Sequence, residues 1–75
     1  MTDTITLDVK GLGCPVPILR ANRAVKEMIS GDVLVVLATD LDAPQDFEIF
    51  CDTTGHNYLS CEKVDGTFVI RLEVI

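Results

Sequence analysis

The stretch Gly11-Leu12-Gly13-Cys14-Pro15-Val16-Pro17 joins a segment of period two to a segment of period 3.6, and this juncture constrains the chain more than any other feature. Upstream, Ile5, Leu7 and Val9 alternate with Thr4, Thr6, Asp8 and Lys10, the pattern of a half-buried strand. Downstream, Ile18, Ala21, Val25 and Met28 share one helical face, with Leu19 and Ile29 flanking it and Arg20, Arg23, Lys26 and Glu27 on the wet side. Gly11 and Gly13 permit a tight turn between the two. Pro15 suits the first helical position, which makes Cys14 the N-cap. Gly31 is expected to close the helix in the left-handed conformation.

The rest of the chain follows without linkers or repeats. Val33 to Ala38 is a continuous apolar run, short enough to be a central strand. Asp42-Ala43-Pro44-Gln45 has the form of a capping box, opening a second helix that buries Ala43, Phe47, Phe50 and Cys51 and ends at Gly55. Tyr58 to Val64 and Thr67 to Val74 read as strands joined by an Asp65-Gly66 hairpin turn, with Phe68, Ile70, Leu72 and Val74 on one face.

The order is therefore β-α-β-α-β-β in one domain spanning residues 1–75. The first crossover makes its two strands parallel. Two helices covering one face of a mixed four-stranded sheet give an α+β fold, a two-layer sandwich. The more apolar second and fourth strands belong in the centre, the first and third at the edges. The opposite sheet face stays partly open, and the all-apolar second strand leads us to expect that some of it meets a partner or a second copy.

Composition narrows the function. A 75-residue chain has a thin core and no room for a large cofactor cavity. A net charge of −6 argues against direct nucleic-acid binding, which depends on Lys and Arg meeting phosphates. The N-terminal residues lack a basic region and an apolar stretch, and no run is long enough to span a bilayer, so the expected location is the cytoplasm, away from membranes. Three cysteines without paired spacing point to reduced thiols. The sequence calls for no cofactor and no metal: Cys51, His56 and Cys61 lack zinc-ligand spacing. Cys51 and Cys61 are expected in the core, Cys61 less firmly because its strand is an edge. His56 follows the second helix, where it would cap or be exposed, at the opposite end from Cys14.

Cys14 carries the chemistry. A free thiol is about 3% ionised at neutral pH, and a helix N-terminus would raise that to about 10–15%. Pro15 and Pro17 remove two first-turn N–H groups, leaving Val16 and Ile18 as donors toward the sulfur. With no neighbouring base, Cys14 is poorly equipped for hydrolysis or acyl transfer. It is suited to accepting sulfane sulfur, a step that needs only partial ionisation. A structural N-cap role is the alternative, although Ser, Thr, Asp and Asn fill that role better. A thiol redox or peroxide sensor and a non-catalytic interaction module are the competing functions.

Leu7-Asp8-Val9-Lys10-Gly11-Leu12-Gly13-Cys14-Pro15-Val16-Pro17-Ile18 resembles the CPxP signature of the TusA/SirA-like sulfur-carrier family, and the similarity extends over essentially the whole chain. The resemblance implies a persulfide carried on Cys14, with Gly13, Pro15, Val16, Pro17 and Ile18 shaping the helix start. It implies a cysteine desulfurase or rhodanese-type donor and a DsrE-like or other acceptor, in tRNA thiolation, sulfur oxidation or molybdenum-cofactor synthesis. Such a chain is a carrier whose transfer steps amount to sulfurtransferase activity. The resemblance also maps a partner-contacting acid onto Asp40. Crossover geometry puts Asp40, Asp42 and Asp46 at the Cys14 edge, where they oppose thiolate formation. Arg20 and Arg23 could add a basic contact.

Overall fold

A computed structural model describes residues 2–75. The elements are β1 (Thr4–Asp8), α1 (Val16–Lys26), β2 (Val33–Ala38), α2 (Ala43–Thr54), β3 (Asn57–Val64) and β4 (Thr67–Glu73). The sheet order is β1-β2-β4-β3, so the two most apolar strands are central. β1 runs parallel to β2, while β4 is antiparallel to both β2 and β3.

Alternation along β2 decides which face is dry. Leu34, Val36 and Ala38 are fully buried, as are their neighbours Ile70 and Leu72 on β4. Ala21 and Val25 of α1 and Phe47 of α2 close over this face, with Val9 at the end of β1. Val33, Val35 and Leu37 point the other way and pair with Glu73, Arg71 and Val69 on a face that stays half-buried. The hairpin forms at Asp65 and Gly66, both at positive φ (49° and 79°), as a two-residue turn of twisted strands requires.

Both ends of α1 differ from the sequence expectation. The N-cap is Pro15, one residue later than expected, so Cys14 stands in the turn before the helix and makes no capping bond. The Cys14–Pro15 peptide bond is cis. At the other end α1 stops at Lys26 with Glu27 as its cap, well before Gly31. The Glu27 and Met28 N–H groups donate to Ala24 and Val25 carbonyls, tightening the last turn. Buried Asp32 then takes over: one carboxylate oxygen accepts the Ile29 N–H (3.1 Å) and the other the Asp3 N–H (2.8 Å). Gly31 turns the chain into β2 at φ +94°, where a Cβ would lie 2.7 Å from the Thr2 methyl group.

α2 begins at Asp42 and ends at a left-handed Gly55, whose N–H donates to the Cys51 carbonyl at 2.8 Å. The expected capping box does not form. Asp42 is itself helical and its side chain makes no cap bond. On β3 a bulge between Tyr58 and Ser60 breaks strict alternation. Tyr58 pairs with Leu72 and Cys61 with Ile70, so the two share a face and Leu59 is displaced. Cys61 is exposed, contrary to expectation, because an edge strand extends past the cover of the helices.

Candidate functional site

The site is the β1–α1 turn, stitched to the end of β2. The Val9 N–H extends the parallel ladder to the Leu37 carbonyl (2.9 Å), and the Leu12 N–H closes back onto Val9 (3.2 Å). Gly11, at φ +80°, donates its N–H to Thr39 Oγ1 at 2.9 Å. The Cys14 N–H donates to Asp40 Oδ2 at 2.9 Å. Asp40 Oδ1 accepts the Asp42 N–H (3.1 Å), and the Asp40 carbonyl accepts the Ala43 N–H (3.0 Å). One residue therefore fixes both the sulfur-bearing turn and the start of α2. This is the helix-initiating work that the sequence pattern assigned to Asp42.

The Cys14 thiol is exposed. Its electrostatics run opposite to the helix-terminus expectation. The thiol pKa is raised, first because the Asp46 carboxylate acts as acceptor for the S–H, then by desolvation and by the negative charges of Asp46, Asp40 and Asp42. The Val16 N–H, one of the donors expected to face the sulfur, is turned to the Gly13 carbonyl at 3.0 Å. Displacement from the N-cap and three nearby carboxylates together overcome the helix dipole. The surroundings of Cys14 thus favour the neutral thiol over the thiolate.

Cys14 also opens onto a shallow groove of about 370 Å³ between the start of α1 and the outer side of α2. Pro15 and Ile18 form one wall. Asp46, Ile49, Phe50 and Thr53 form the other, spaced i, i+3, i+4 and i+7 along one stripe of α2. Sequence reading placed Asp46 at this edge as one of three acids opposing thiolate formation, and it missed the groove. The helical spacing from Asp46 to Thr53 was the available signal.

Pro17 is buried and anchors the first turn of α1, while Ile18 is half-buried. Arg20 and Arg23 are exposed along α1, and neither forms an ion pair among the described residues. Cys51 is buried, and burial pushes its thiol up to about 11. It lines a different hollow, about 890 Å³ between α2 and the start of β3, together with Glu48, His56 and Tyr58. Burial likewise raises the Tyr58 phenol, to about 12. His56 is half-buried and accepts the Ile75 N–H on Nδ1 at 3.3 Å, outside the Cys14 groove. Among the described residues, no three His, Cys, Asp or Glu side chains are grouped to hold a metal ion. No helix among them is long and apolar enough to cross a membrane.

Comparison with known proteins places this arrangement in context. The family described as Sulfurtransferase TusA matches residues 5–74. A Neisseria meningitidis serogroup A protein, described as a candidate sulfur carrier, is 58% identical over 68 residues covering 91% of this chain and 92% of that protein. The sulfur carrier protein TusA of Allochromatium vinosum is 44% identical over 62 residues, 83% of this chain and 82% of the relative. The crystal structure of a SirA-like protein from Desulfitobacterium hafniense superposes with a TM-score of 0.82 at 28% identity, covering 92% of this chain and 95% of that one.

Proposed function

The chain belongs to the TusA family, and from that premise we propose that it is a sulfur carrier that holds sulfane sulfur as a persulfide on Cys14. Relatives named as sulfur carriers support the carrier role. The observation that carries the finer reading is an exposed Cys14 thiol, free of any disulfide, on a turn pinned at both ends and with no histidine lining its groove. Such a thiol can attack only a bond that is already weak.

In the loading step the Cys14 sulfur attacks the terminal sulfur of a donor persulfide. A new S–S bond forms at Cys14, the donor's S–S bond breaks, and the donor leaves as a thiolate that takes up the proton Cys14 gives away. The products are a Cys14 persulfide and a donor thiol, and no outside oxidant is consumed. Unloading is the same exchange with an acceptor cysteine. The donor in this reading is a cysteine desulfurase or rhodanese-type protein, and the acceptor a DsrE-like or other thiol protein of the same reducing compartment. Asp40 holds Cys14 in place, and Arg20 and Arg23 sit on the exposed side of α1, where a partner can reach them.

The test is intact mass spectrometry after incubation with a cysteine desulfurase and cysteine. One added sulfur in the wild type, absent from Cys14→Ser and retained in Cys51→Ser and Cys61→Ser, is the expected result. An intramolecular disulfide or oxygen adducts alone would replace the carrier with a redox sensor.

A further inference from the structure

The groove beside Cys14 is apolar along its length and acidic at one end. Pro15, Ile18, Ile49 and Phe50 line it, while Cys14 and Asp46 meet at the end nearest the start of α2. From Asp46 to Thr53 the wall runs about 10 Å along the helix, enough for about three residues of extended chain. Ile49 is 55% exposed, so apolar surface lies uncovered beside the reactive sulfur.

We propose that this groove receives a short extended segment of the sulfur-exchanging protein, carrying a lysine or arginine beside its reacting sulfur and an apolar side chain a few residues away, and that Asp46 selects for that cation. This rests on the sulfur-carrier reading of Cys14 and adds the chemistry of the partner.

Charge complementarity decides the occupant. Three carboxylates face Cys14: Asp40 from the end of β2, and Asp42 and Asp46 from the start of α2. They are not equivalent. Both oxygens of Asp40 already accept backbone N–H groups, from Cys14 and Asp42. Neither Asp42 nor Asp46 forms an ion pair among the described residues, but of the two only Asp46 lines the groove, so its carboxylate is the one placed to meet an incoming ammonium or guanidinium there. An anionic segment would meet all three carboxylates together with the overall charge of −6. A cation paired with Asp46 also offsets the field that keeps the Cys14 thiol protonated, so ionisation follows docking. The carrier is then quiet in solution and reactive in the complex.

The test measures Cys14 exchange with synthetic pentapeptides whose single cysteine is blocked as a mixed disulfide with thionitrobenzoate. Cys14 attacks the peptide sulfur, a Cys14–peptide disulfide forms, thionitrobenzoate leaves and is read by its absorbance, and the thiol proton goes to buffer. A Cys61→Ser background removes the other exposed thiol. Three peptides are compared: one with Arg beside the cysteine and a nearby Leu, one with Glu in place of Arg, and one with Ser in place of Leu. At low salt the Arg/Leu peptide should react about tenfold faster than its Glu counterpart and severalfold faster than its Ser counterpart.

Asp46→Asn should bring the Arg-to-Glu ratio to about threefold or less, and Asp46→Lys should reverse it. Asp3→Asn, which removes an equal charge at the other end of the sheet, should leave the ratio unchanged. A ratio that is the same in Asp46→Asn as in the wild type, or that falls equally in Asp3→Asn, overturns the assignment to Asp46. Equal rates for the Leu and Ser peptides overturn the groove. Sulfur loading of the wild type by the desulfurase is scored separately, so failure to load strikes the carrier reading without touching these ratios.

Discussion

The carboxylate of Asp40 accepts the backbone N–H of Cys14 at 2.9 Å, joining positions 26 residues apart. Its other oxygen holds the Asp42 N–H at 3.1 Å. The turn that carries the sulfur and the helix that forms the acidic side of its groove are thus set by one side chain.

Asp40→Ala should therefore loosen the site more than the fold. Losing two charge-assisted bonds at a half-exposed position costs about 1 kcal/mol. A small fall in the urea midpoint is expected, together with a large rise in amide exchange at Cys14 and Asp42. Asp40→Asn, with a single acceptor oxygen, should release only one of the two amides. Unchanged protection of both amides in the alanine variant would count against the clamp.

Cys14 should be slow to alkylate at neutral pH. Its pKa is raised by Asp46 first, then by desolvation and the charges of Asp40 and Asp42, so the neutral thiol persists to higher pH than for an unperturbed cysteine. The rate of iodoacetamide reaction should climb through an inflection above that of a small-molecule thiol. Added salt should move the inflection down, because it screens the carboxylates. An inflection below the ordinary thiol value would mean that the helix terminus governs instead.

Cys51 should matter for stability and not for sulfur transfer. It is buried on the apolar face of α2, and its thiol is pushed up to about 11. Cys51→Ser places a hydroxyl in a nearly fully buried, apolar position and should cost about 1–3 kcal/mol in urea unfolding. Sulfur loading at Cys14, measured where the variant is folded, should be unaffected.

Asp32 should give the protein an acid-sensitive hinge between α1 and β2. Hydrogen bonds from Asp3 and Ile29 lower its pKa below the usual carboxylate value. A depressed carboxylate contributes stability that is present above its unfolded pKa, about 3.9, and is lost as pH falls through the folded value. Asp32→Asn should be less stable than the wild type at neutral pH and lose less on acidification below about pH 4. Parallel pH curves for the two proteins would remove Asp32 from the acid transition.

The central placement of β2 and β4 could be read from their apolar runs, and the parallel β1–β2 pair from the helix between them. So could the buried stripe of α2 at Ala43, Phe47, Phe50 and Cys51. These follow from period and polarity, which are local properties of the chain. The end of α1 was not legible, because Gly31 looks like a cap until Asp32 is seen to intercept the Ile29 N–H. Cys61 looked buried because a residue pattern cannot show how far the helices cover an edge strand: it pairs with buried Ile70 and is exposed all the same.

Sequence alone determined that a thiol stands between a strand and a helix, and that three acids end up on its edge of the sheet. Only the tertiary structure decided that Asp40 binds the Cys14 amide while Asp46 faces the thiol and the groove. The reason is range: hydrophobic periodicity is written in consecutive residues, whereas a hydrogen bond or a charge effect depends on ångström distances between groups brought together from separate elements.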